Sequence, residues 1–241
     1  MNLDSACWPD LAGGAEVLLL PLGACEQHGP HLPFRTDAAI ADAVARGAAT
    51  ELLRLGGNVV CAPVLAFGAS GEHQHFDGTV SIGHDALHVI LLELGRSASC
   101  WARRLVFVNA HGGNLPTVAA VARQLRHEGH DASWLPCQPS DADAHAGRTE
   151  TSLMLAIAPE AVRLDAAAAG PSEPIGALLH RLREHGVIGV SPNGVLGDPT
   201  GSSAEEGAGL LAEMIADIVD SVLNGDVDGA GRLASRAAAI R

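Results

Sequence analysis

Short apolar runs alternate with stretches of helical spacing along most of the chain. Residues 16–20 (EVLLL) predict a buried strand closed by Pro21 and Gly23. Residues 37–55 are alanine-rich, carry apolar positions at helical spacing and stop at Gly56 and Gly57. A second strand is expected at 58–62 (NVVCA), followed by a long Gly/His loop to about Gly83. A helix is expected over 84–101 and a third strand over 104–109 (RLVFVN). The tetrapeptide HGGN comes next and opens a helix over 115–128. A fourth strand at 132–136 leads through another long loop to a helix near Thr149, with Thr149 or Thr151 as its cap. Residues 170–200 are rich in Gly and Pro and show no usable period. A helix over 204–223 follows, with a further short helix beyond it.

This alternation predicts an α/β fold in which a mostly parallel sheet is covered by helices. In such open sheets, ligands bind outside the carboxyl ends of the strands. The segments of interest are therefore ACEQHGPHLPFRTD, APVLAFGASGEHQHFDGT, AHGGN and CQPSDADAHAGRTE. Histidines concentrate in them. His127, His130, His180 and His185 stand apart and read as structural or exposed.

Composition narrows the function. No linker, charge block or shift in hydrophobicity divides the 241 residues, so one domain over 1–241 is expected. The formal net charge of -13 argues against nucleic acid and against an anionic membrane surface. All 15 basic residues are Arg, which carries no functional message here. Five scattered cysteines (Cys7, Cys25, Cys61, Cys100, Cys137) suit a reducing, cytoplasmic setting. The first residues lack the basic and apolar regions of a signal peptide, and no apolar run approaches ~18 residues.

Glu26 and His28 lie two apart in an extended segment and can face one point. Asp37, at the start of the next helix, can fold back to join them. Carboxylate plus imidazole suits Zn, Mn or Fe(II) better than Mg or Ca. His111 follows an apolar strand, and the two glycines after it permit a sharp turn and close approach to a ligand. Glu150 sits in the first turn of its helix, just beyond His145. Taken singly, each has an ordinary reading: solvated carboxylates, a turn with an incidental His, a carboxylate favoured by a helix dipole. Their convergence on one sheet edge points to a metal centre.

LPLGACEQHGPHLPFRTD, VNAHGGN and DAHAGRTETS resemble, in order, the signature blocks of the creatininase family of amidohydrolases, over about residues 16–160. The resemblance implies a three-layer α/β/α sandwich and a homo-oligomer, often a hexamer or larger. It implies two divalent ions per subunit (Zn, Fe(II) or Mn) held by Glu26, His28, Asp37, His111 and Glu150, with Asp37 bridging. It makes His145 a catalytic acid/base or a substrate contact. Hydrolysis by metal-activated water needs neutral His ligands, so activity should fall in acid.

GASGEHQHFDGTVSIG and SPNGVLGDPTGS resemble the branch of this family that acts in mycofactocin biosynthesis, extending coverage to about residue 215. That branch releases the cross-linked C-terminal Val-Tyr unit from a radical-SAM-modified ribosomal peptide. Glu72 and His73 are candidate substrate contacts, as is Arg148, which stands where many relatives have Glu. Many relatives have Gly where Ala110 stands, a change that restricts the backbone. The chain has no Tyr, and Gly112 and Gly113 stand where creatinine-hydrolysing members place aromatic contacts, so creatinine is a poor substrate expectation. The rival readings are an amidohydrolase of the same family acting on a cyclic amide or formamide, and a metal-binding protein without turnover. No GxGxxG or GxxxxGK[ST] follows the first strand, which sets nucleotide binding aside.

Overall fold

The computed structural model describes residues 1–139 and 142–234. The central sheet is parallel and four-stranded, built from β1 (Ala15–Leu22), β2 (Val59–Cys61), β3 (Ala102–Asn109) and β4 (Asp131–Pro136) in the order β2-β1-β3-β4. Leu18 of β1 lies between Val60 of β2 and Leu105 of β3, and Leu105 in turn pairs Ala132 of β4.

The apolar runs of β1 and β3 are buried on both faces, and their period of two divides them between two cores. Leu19, Val106 and Val108 point into one core. Leu18, Leu20, Leu22, Leu105 and Phe107 point into the other. Phe107 is fully buried, and removing such a ring from water contributes about 3 kcal/mol.

Right-handed crossovers decide which helix covers which face. The step from β1 to β2 runs in one direction and places α1 (Thr36–Arg54) on the first core. The steps from β2 to β3 and from β3 to β4 run the other way. They place α2 (Gly83–Ala98) and α3 (Leu115–His127) on the second core. Two later helices, α4 (Arg148–Ile157) and α6 (Ala204–Asn224), pack beside α1. The result is the three-layer α/β/α sandwich.

Two local expectations change. α2 ends at Ala98 rather than 101, because Trp101 already joins the sheet, its carbonyl accepting the Ala15 N–H at 3.0 Å. The Gly/Pro-rich stretch contains a helix, α5 (Ile175–His185), that opens after Pro174 and stops at Gly186, whose φ is +65°. Its short apolar stripe buries Leu178, with Leu182 packed alongside. Beyond α6 the described residues form a hairpin of β5 (Asp226–Val227) and β6 (Leu233–Ala234); residues 235–241, where the further short helix could fall, lie outside the described residues. No described helix is long and apolar enough to cross a membrane.

Candidate metal centre

The strand order reverses at β1. The loops leaving β1 and β3 therefore open side by side at the carboxyl edge of the sheet, where ligands bind in folds of this class. The first loop brings Glu26 and His28, both fully buried, and returns Asp37 in the first turn of α1. The second brings His111, which follows β3 after Ala110. The loop after β4 supplies His145, and α4 supplies Glu150 in its first turn.

Two groups of potential ligand atoms meet at Asp37: Glu26, Asp37 and His111, and His28, Asp37 and Glu150. A third group joins Glu26, His28 and His145. His28 Nε2 lies 3.0 Å from Asp37 Oδ1 and 3.8 Å from Glu150 Oε2. His111 Nδ1 lies 3.3 Å from Glu26 Oε1 and 3.4 Å from Asp37 Oδ2. The remaining nitrogen of each imidazole is tied to a backbone carbonyl. His28 Nδ1 donates to Glu26 O at 3.1 Å, and His111 Nε2 donates to Ala69 O at 3.1 Å. Carbonyls only accept, so the nitrogens facing the carboxylates are the ones left free for a cation.

The donor set fits a metal on a second ground. Both Glu26 oxygens and Asp37 Oδ2 are buried with no hydrogen-bond partner. Carboxylate oxygens are not ordinarily sealed from water unpaired, because a buried charge costs several kcal/mol unless compensated. Without a cation, protons carry the compensation. Burial opposes charge on His28, but Asp37, Glu150 and Glu26 overcome it and raise its pKa to about 10. His111 is likewise raised to about 10, against burial, by Glu26, Asp37 and Glu72. Burial pushes Glu26 upward and brings Glu150 to about 7. It would raise Asp37 too, but His28 and His111 hold that carboxyl below its ordinary range.

The centre is framed by hydrogen bonds that the residue pattern does not announce. Asn114, the last residue of HGGN, accepts from Ala69 N–H at 2.9 Å and donates to Gly23 O at 3.0 Å, knitting three loops together. The cap of α4 is neither Thr149 nor Thr151. Asp143 receives the Arg148 and Thr149 amide N–H groups, while the Thr151 hydroxyl donates to Gly147 O at 2.6 Å. Ala146, between His145 and the start of α4, has φ +53°, the one positive value among described non-glycine residues. Such a conformation costs roughly 1–3 kcal/mol, and it directs the Ala146 N–H onto Glu150 Oε2 at 2.6 Å. Ala110 carries no such strain.

Of the candidate substrate contacts, His73 is buried with Nε2 3.4 Å from Glu26 Oε1, and Glu72 Oε1 lies 3.7 Å from His111 Nε2. Arg148 is not brought into this group: its Nε donates to Glu206 at 2.9 Å. Gln27 is the residue that sequence reasoning passed over. It sits between two ligand candidates, where alternation sends its side chain the opposite way. It is buried and reaches both His73 and His145.

A profile of the family described as creatininase, creatinine amidohydrolase, matches residues 4–222. A curated relative from Mycobacterium ulcerans (strain Agy99), named mycofactocin precursor peptide peptidase, is 52% identical over 89% of this chain and 85% of its own length. A mutant creatininase of Zn-Zn type superposes with a TM-score of 0.74 at 26% identity, covering 92% of this chain and 96% of that one. A creatininase designated Mn gives 0.73 at 26% identity with the same coverage.

Proposed function

The chain belongs to the creatininase family, and we propose that it is the member that hydrolyses a peptide bond in the modified mycofactocin precursor, releasing the cross-linked C-terminal Val-Tyr unit. Family membership makes it a metal-dependent hydrolase of carbon–nitrogen bonds. The observation that carries the peptide substrate is the 52% identity to a peptidase of that name, spread over 89% of the chain. Creatinine is not favoured, since no Tyr is available and glycine occupies positions 112 and 113.

In this reading Glu26, Asp37 and His111 would hold one divalent ion, and His28, Asp37 and Glu150 would hold the other. Zinc, iron(II) and manganese all suit these donors. When bound, such ions polarise the amide carbonyl and acidify water. His145 takes the proton of the attacking water on Nδ1, which faces Glu26 Oε1 at 3.7 Å, and passes it to the leaving nitrogen. One water is consumed, the C–N bond breaks, and a carboxylate and an amine result. Glu72 and His73 line the substrate side of the centre. Exposed Val89, Ile90 and Leu94 on α2 support a homo-oligomer. Free cysteines throughout the described residues support a cytoplasmic location.

The test is mass spectrometry of the modified precursor peptide after incubation with the purified protein, with and without chelator. Release of the Val-Tyr fragment that stops on chelation is expected. An intact peptide beside a metal-loaded protein would remove the peptidase reading and direct the search to cyclic amides and formamides.

A further inference from the structure

We propose that Gln27 is a positioning residue that fixes complementary roles on two facing histidines, and that His73 is a second catalytic residue, donating Nε2–H to the carbonyl oxygen of the amide being cleaved. The inference rests on the amide-hydrolase reading above.

The Gln27 carboxamide has only one allowed orientation. Its Oε1 accepts from Gly29 N–H at 2.8 Å, and its Nε2 donates to Gly194 O at 3.0 Å. Both partners are backbone groups with fixed roles, so the amide cannot be flipped. One Nε2 hydrogen remains. Two ring nitrogens compete for it, His73 Nδ1 at 2.8 Å and His145 Nε2 at 3.1 Å. His145 Nε2 also lies 2.9 Å from the backbone carbonyl of Gln27, which can only accept. That nitrogen therefore bears the hydrogen, and two N–H groups do not point at each other. The remaining Gln27 hydrogen goes to His73 Nδ1, which must be bare.

The consequence is a pair of opposite tools. His145, with hydrogen on Nε2, presents a lone pair from Nδ1. His73, with Nδ1 engaged, presents an N–H from Nε2. The rings pack 4.4 Å apart, and these atoms approach the same oxygen, Glu26 Oε1, from 3.7 Å and 3.4 Å. His73 Nε2–H faces Glu26 Oε1 at 3.4 Å, an oxygen that accepts no hydrogen bond, so this N–H points into the centre where a substrate oxygen would sit. Amide hydrolysis needs both tools at once, an acceptor for the water proton and a donor where negative charge develops on oxygen.

The surroundings are built for this arrangement. Gly194 has φ +81°, and a Cβ there would collide with the Gln27 carboxamide. Two residues on, Leu196 exchanges backbone hydrogen bonds with His145 at 2.9 and 3.1 Å. The SPNGVL segment thus anchors Gln27 and His145 together. A Glu at position 27 would occupy the same volume but would accept from His73 Nδ1 instead of donating to it.

The experiment uses full-length, zinc-loaded, 15N-labelled protein and long-range 1H–15N correlation of the histidine rings, assigned with His73→Gln and His145→Gln. Hydrogen on Nε2 and a bare Nδ1 in both rings is expected; hydrogen on His73 Nδ1 overturns the proposal. In Gln27→Glu the His73 hydrogen should move to Nδ1, with kcat on the precursor peptide falling about 100-fold and KM moving by less than about threefold. An unchanged kcat alongside a moved hydrogen overturns it as well. Should that variant fail to retain zinc, a His73 pair decides: His73→Leu should lose about 100-fold in kcat, and His73→Gln, which keeps a donor, should recover about a tenth of wild-type turnover or more. Equal loss in both removes the donor role. If the wild-type protein leaves the peptide intact while the ring pattern holds, the substrate reading fails and the positioning role of Gln27 stands.

Discussion

The two ends of the sheet use the same residue classes in opposite ways. At the amino ends of β3 and β4, Arg104 and Asp131 sit in register, and Arg104 Nε donates to Asp131 at 3.0 Å with both side chains partly exposed. At the carboxyl end, Glu26 and Asp37 are buried, and three of their oxygens have no hydrogen-bond partner. The first arrangement satisfies every charge and is worth at most ~1 kcal/mol. The second carries a cost of several kcal/mol unless a cation is present. The contrast teaches where the molecule places function. Charge that only needs to be soluble is exposed and paired, while charge meant for a ligand is dry and left open.

The largest effect should come from breaking the carboxylate shared by the two proposed ligand groups. Asp37→Asn removes the carboxylate common to both ligand groups. Peptide hydrolysis should fall on the order of 10³-fold, equivalent to several kcal/mol of lost transition-state stabilisation. Elemental analysis should show reduced metal content. Full activity with two metals bound would erase the distinction between the two ends.

Proton release sharpens the comparison next. His28 and His111, each near pKa 10 without metal, are protonated at pH 7 and must lose those protons to become ligands. Metal uptake should therefore release protons, and apparent affinity should weaken about tenfold per pH unit per displaced proton as pH falls. Calorimetric titration with zinc in two buffers of different ionisation enthalpy measures this. Identical heats in both would contradict it.

A smaller effect is expected for Glu26→Gln in metal-free protein. Burial raises the Glu26 pKa. An acid raised on folding destabilises the folded state increasingly as pH climbs above the unfolded value, and neutral Gln removes that cost. Metal-free Tm should rise by about 2–4 °C for each kcal/mol relieved, while the Tm gain on adding zinc should shrink. A lower metal-free Tm would mean that the carboxylate is compensated by protein groups alone. The smallest effect belongs to the other end of the sheet: Arg104→Ala should shift the urea midpoint by no more than ~1 kcal/mol equivalent.

Much of this was legible in the residues. Strands at 16–20, 58–62, 104–109 and 132–136 lie within or beside the observed ones because apolar runs between turn signals have few other solutions. Helix α5 was not legible, because it buries one residue, Leu178, and so leaves almost no periodic trace in a Gly/Pro-rich stretch. The cap of α4 was missed for a related reason. Asp143 lies five residues before the amide it serves at Arg148, beyond the usual spacing of a capping residue.

The sequence alone determined the sheet class, the loops that matter and the chemical types gathered in them. Those follow from short-range rules: periodicity, turn residues, and the few side chains able to ligate a cation. Only the tertiary structure decided which atoms face one another. That His73 and His145 pack ring against ring across 72 residues of chain, that Gln27 reaches Gly194 across 167, and that Arg148 pairs with Glu206 across 58 depend on how distant loops close over the sheet. No local pattern encodes those distances. They are set when two faces of one sheet are packed and the strand order reverses at β1, which brings separate loops within hydrogen-bonding range.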